Sequence, residues 1–165
     1  MPKYSAGILL YRFRHGSLEV FLVHPGGPFW TGKERGAWSV PKGEIAKGED
    51  PHDAARREFK EETGIGVTGP MFDLGAQKQG SNKTVRVWAL ENDCDPAAIE
   101  SNTFSMEWPP KSGRQQTFPE VNRAAWFAVD DAREKMHRGQ VVFIDRLCGA
   151  LKQESRADKP GSHEP

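Results

Sequence analysis

Gly43 to Ile65 reads GEIAKGEDPHDAARREFKEETGI, a loop that runs into a helix with both ends marked. Asp50 is a good N-cap, Pro51 suits the first helical position, and Gly64 is placed to end the helix after Thr63. Ala55, Phe59 and Thr63 recur one turn apart and form its inward stripe. Glu58, Glu61 and Glu62 lie three and four residues apart, so their carboxylates share one surface. They also occupy the last turns, where the macrodipole disfavours each negative charge by about 0.3–1 kcal/mol. Arg57 and Lys60 offset only part of that repulsion. Hard oxygen donors crowded against local preference suit Mg2+ or Mn2+. A bare Glu-x-x-Glu-Glu string equally describes a solvated acidic face, so the surrounding sequence has to decide.

Working outward, Ser5–Arg12 and Leu18–His24 are aliphatic or β-branched runs separated by a turn, and they predict a hairpin. A Gly/Pro-rich loop, Pro25–Gly36, leads to the short apolar segment Ala37–Val40, which Pro41 stops. Val67–Gln77 and Lys83–Glu91 predict two more strands joined by Gly-Ser-Asn. Strand character returns at Phe104–Trp108, breaks at Pro109-Pro110 and resumes at Arg123–Val129. Val141–Lys152 has helical spacing, and residues 154–165 are expected to be a polar, frayed tail. No repeat or heptad pattern is present, so nothing in the sequence speaks to oligomeric state.

The 165 residues, 36% of them hydrophobic, suit one domain. Lys plus Arg and Asp plus Glu number 23 each, which provides no net field for a nucleic-acid backbone and favours a small-molecule ligand. Cys94 and Cys148 are too few for a disulfide framework. The apolar stretch near the N-terminus is too brief for a membrane span and carries no cleavage site, so the expectation is a soluble cytoplasmic protein with no membrane partner.

Gly43, Glu49, Arg57, Glu58, Phe59, Glu61, Glu62, Gly64 and Ile65 match the whole pattern G-x5-E-x7-R-E-U-x-E-E-x-G-U, U being aliphatic or aromatic. In this the chain resembles the Nudix hydrolase family. The resemblance implies an α/β fold, a central mixed sheet sandwiched between helices, over residues 3–153. It implies that Glu58, Glu61 and Glu62 bind the divalent metal with the Gly43 carbonyl, and that Arg57 and Glu49 pair to orient the acids. The implied reaction is hydrolysis of a phosphoanhydride into two phosphorylated fragments. Family members differ in which carboxylate is the general base, and Glu120, in FPEVNRAAWF, is a candidate outside the box.

WSVPKGE at Trp38–Glu44 and KTVRVWALE at Lys83–Glu91 resemble the diadenosine polyphosphate hydrolase branch. Glu44 stands where that branch typically has His, and Val87-Trp88 where it has Tyr. Lys42 and Lys83 are candidate phosphate ligands. Glu107–Phe127 adds Lys111 and Arg114 in a loop expected to close over phosphates, with Trp108 or Phe118 stacking on a base. The expected substrate is a dinucleoside polyphosphate or a nucleoside triphosphate. The rivals are a non-catalytic nucleotide-binding domain, whose usual sign is a degraded box, and an RNA 5′-end pyrophosphohydrolase, which needs a basic channel.

Overall fold

The structure is a computed structural model that describes residues 2–157, with side chains placed to Lys152. Six strands form a mixed sheet: β1 (Lys3–Arg14), β2 (Ser17–Pro25), β3 (Lys42–Glu44), β4 (Phe72–Lys78), β5 (Lys83–Glu91) and β8 (Val121–Ala128). Their order is β4-β5-β1-β2-β8, and β3 pairs with the start of β1. Pairing of β1 with β5 is parallel, and the other neighbours are antiparallel. A separate hairpin joins β6 (Thr103–Glu107) to β7 (Gln115–Pro119).

The central strands are buried on both faces, so they are near-continuous apolar runs rather than alternating ones. Ile8, Leu10, Phe21 and Val23 point to a cluster with Ala54, Ala55 and Phe59 of α1 (Pro51–Thr63). Leu9, Tyr11, Val20 and Leu22 point the other way, to Ala132 of α2 (Val129–Lys135) and Phe143, Ile144 and Leu147 of α3 (Val141–Ala157). Helices therefore cover both faces of a mixed sheet. Among the described residues no helix is long and apolar enough to cross a membrane.

Helix α1 has the expected limits. The Asp50 side chain accepts from His52 N–H at 2.7 Å, and Gly64 closes the helix in the left-handed region at φ 73°. Four expectations change. Strand β4 begins at Phe72 rather than Val67, because Gly69 at φ 118° and Pro70, which has no N–H, keep the preceding residues off the ladder. Segment 37–40, stopped by Pro41, makes only isolated bridges from Ser39 to Val23 and from Trp38 to Met136, and Val129–Lys135 forms helix α2 where no element was expected between Val129 and Val141. Polar Gln115–Pro119, expected as loop, is a strand because it pairs with β6. Helix α3 continues past Lys152 to Ala157, through residues that contain no helix breaker. The remainder of the expected tail, 158–165, lies outside the described residues.

Candidate active site

A cleft of about 600 Å3 opens where β3 and the C-terminal half of α1 meet the ends of β1, β2 and β5. Glu58, Glu61 and Glu62 reach it from the helix, Lys42 and Gly43 from β3, Lys83 from β5, and Glu120 from the bend between β7 and β8.

Arg57 organises the acidic end. Its Nε and Nη2 donate to Glu49 at 2.8 and 2.9 Å, and its Nη1 donates to Glu58 at 2.9 Å and Glu61 at 2.8 Å. Nη2 also reaches the Glu44 carbonyl at 3.0 Å, so one guanidinium ties the 44–49 loop to the helix. Glu49 is held down to about 2 by its bonds from Arg57 and from Ala46 N–H. Glu58 and Glu62 go the other way. Burial, then the neighbouring Glu61 carboxylate, pushes Glu58 up to about 7. Burial pushes Glu62 up to about 8 despite Lys42, whose backbone N–H donates to it at 3.2 Å, and Glu58 and Glu120 add repulsion.

Gly43 is required where it stands, since an added Cβ would lie 1.8 Å from Glu58 Oε1. The backbone of residue 43 and the Glu58 carboxylate therefore meet with nothing between them. As they stand, no three acidic, His or Cys side chains among the described residues converge on one ion-sized point; Glu58 and Glu61 both turn to Arg57 Nη1. The donor set nonetheless fits a hard divalent cation: three carboxylates, two with raised pKa values that positive charge would relieve, beside the backbone of a residue with no side chain to intervene.

A family model described as the NUDIX domain matches residues 1–147. The chain belongs to the Nudix family. The Nudix fold is also that of a Caenorhabditis elegans Ap4A hydrolase, which is 22% identical with a TM-score of 0.61 over 92% of this chain and 98% of that one. A Myxococcus xanthus octanoyltransferase is 33% identical over 104 residues, 62% of this chain and 26% of that protein. An RNA pyrophosphohydrolase of Caulobacter vibrioides is 43% identical over 51 residues, 28% of this chain and 30% of the relative. The chain thus spans well under half the length of both curated relatives in these alignments.

The other sequence candidates are distributed unevenly about the Nudix site. Lys42, Lys83 and Glu120 line the cleft with the three helix acids and Gly43. Lys111 and Arg114 do not: they sit at the exposed turn of the β6–β7 hairpin, beyond the cleft lining. Trp108 stacks edge-on against Phe29 of the 28–30 turn at 5.4 Å, and Phe118 packs on Phe104 within the hairpin at 5.9 Å. Phe104 and Trp30 line the cleft instead. Val87 and Trp88, at the positions compared with a Tyr, are core residues, 0% and 6% exposed. Trp30, Gln79 and His137 also line the site and carry no sequence signal, because each lies in a connection between elements that meet only in the fold.

Proposed function

We propose that this Nudix chain is a divalent-metal-dependent pyrophosphohydrolase of nucleoside diphosphate-linked substrates, with dinucleoside polyphosphates or nucleoside triphosphates as the substrate class. The observation that carries the reading is the three-glutamate helix face, with Glu58 and Glu61 held by Arg57 and Glu58 against Gly43, and with Lys42 and Lys83 in the same cleft. Glu58, Glu61, Glu62 and the Gly43 carbonyl would hold Mg2+ or Mn2+, which supplies charge neutralisation and water activation at a phosphoanhydride. Lys42 and Lys83 supply positive charge for phosphate oxygens, and Arg57 keeps Glu58 and Glu61 oriented. Glu120 interacts electrostatically with Glu62 in the cleft and is a candidate proton acceptor alongside the helix acids. Two unpaired cysteines agree with a reducing, cytoplasmic setting.

The partial likeness to an RNA pyrophosphohydrolase supports a second reading, removal of pyrophosphate from a 5′-triphosphorylated RNA. One panel separates the two: Mg2+- or Mn2+-dependent cleavage of diadenosine tetraphosphate, ATP and 5′-triphosphorylated RNA. Turnover of the first two, lost in Glu61→Gln and Glu62→Gln, is expected. Preference for the RNA selects the second reading, and absence of metal-dependent turnover on all three overturns both.

A further inference from the structure

The cleft has a second end. A chamber of about 340 Å3 shares Lys42, Lys83, Glu62, Glu120 and, at the junction, Gln79 with the acidic end, then continues between Val23, Ala37 and Val121 toward His137 and Gln140. Beyond the lysines its wall carries no carboxylate: apolar side chains alternate with neutral hydrogen-bonding groups. Such a lining suits an uncharged heterocycle with a polar edge.

Two of these polar groups are already engaged. Gln140 accepts from Val40 N–H at 2.9 Å and donates to Ser39 Oγ at 3.1 Å. Gln79 is different. Its backbone N–H closes the β4–β5 turn onto the Lys83 carbonyl at 2.8 Å, which fixes it beside that lysine. Its Nε2 is buried and has no hydrogen-bond partner among the described residues. Buried amide donors are ordinarily satisfied, so an orphan one on a residue that lines a cavity is a donor that a turn of the side-chain amide would offer to a ligand there. Gln79 and His137 flank Gly139: a Cβ there would lie 3.4 Å from Gln79 Cγ and 3.2 Å from His137 Nδ1. His137 Nδ1 accepts from Gly139 N–H at 3.0 Å, so the neutral ring carries its proton on Nε2, a second donor on a residue that lines the chamber.

We propose that Gln79 is a specificity-determining residue, its amide N–H donating to an acceptor on the nucleoside portion of the substrate in this chamber. The proposal rests on the pyrophosphohydrolase reading for the substrate being a nucleotide whose phosphates occupy the acidic end. A site built to hydrogen-bond one group discriminates strongly against ligands that lack it, because its own donors are then left unpaired.

The test is calorimetric titration of AMP, GMP, CMP and UMP, and of inorganic pyrophosphate, into metal-free wild type and Gln79→Met. At least one nucleotide should bind wild type and lose about tenfold or more in affinity in the variant, while pyrophosphate affinity stays within about twofold. In parallel, the 15N-labelled Gln79 side-chain amide of the wild-type chain should shift on adding that nucleotide and not on adding pyrophosphate, a readout independent of whether the variant folds. Equal loss for nucleotide and pyrophosphate, an unmoved Gln79 amide, or absence of binding by all four nucleotides overturns the proposal. Absence of metal-dependent turnover in the substrate panel overturns the pyrophosphohydrolase reading instead and leaves these binding outcomes to decide the role of Gln79.

Discussion

Glu49, Glu58, Glu61 and the Glu44 carbonyl all take hydrogen bonds from the Arg57 guanidinium, so a change at this one residue touches both the loop and the acids. Arg57→Lys keeps the charge but not the planar fork, and a metal titration should show affinity reduced about 10–100-fold. Gly43→Ala is expected to be more severe, because the new methyl would overlap the Glu58 carboxylate. Displacing that group by an ångström predicts about a 100-fold loss of kcat, measured alongside circular dichroism to confirm folding. The acids also set a pH dependence. Folded-state values of about 7 for Glu58 and about 8 for Glu62, against 4.5 unfolded, mean that the metal-free native state binds more protons between those limits. Stability without metal should therefore fall as pH rises from about 4.5 to 8. Glu49, held at about 2, acts oppositely: its contribution is complete above 4.5 and is lost as pH falls toward 2. Melting curves across pH with and without Mg2+ check the first window, and the gain from Mg2+ should grow with pH because binding displaces protons. The helix acids were legible in the sequence because i, i+3 and i+4 spacing fixes neighbours locally. Gln79 was not, since its orphan amide exists only once the β4–β5 turn meets the 138–140 turn.

Among the elements, α1 has the sharpest sequence signature and carries the most chemistry. Its cap is testable: Asp50→Ala removes the acceptor for His52 N–H and should cost about 1 kcal/mol in urea denaturation. Gly64 combines a left-handed backbone with a close approach, an added Cβ lying 2.7 Å from the Glu100 carbonyl, so Gly64→Ala is expected to exceed that loss. The two elements that the sequence does not announce share a different physics. Strand β7 is exposed along nearly its whole length, and α2 spans seven residues with Ala132 as its buried contact. Neither presents an apolar period; each forms because a neighbour is already there to pair or pack with it. The same dependence removes Lys111 and Arg114 from the cleft, since the β6–β7 pairing draws them out to its turn.

For the whole molecule, the fold class followed from one local match, whereas strand order did not, because nothing in a strand's composition names its neighbour. A site assembled from β3 and α1 exists only in the folded state, so a divalent cation bound there should raise stability by about 2.7 kcal/mol at 100 times its Kd, and Glu62→Gln should abolish most of the gain. Strand order sets a timetable for folding. Strand β1 pairs Lys3 with Lys83, and β2 pairs Glu19 with Ala128, so both central strands find partners eighty or more positions along the chain. During synthesis this apolar pair emerges before its later partners, with an edge open on each side until β5 and β8 follow. With pairings so remote, stopped-flow refolding should take milliseconds to seconds, and a ribosome-stalled fragment ending before β5 should be aggregation-prone where the longer chain is not.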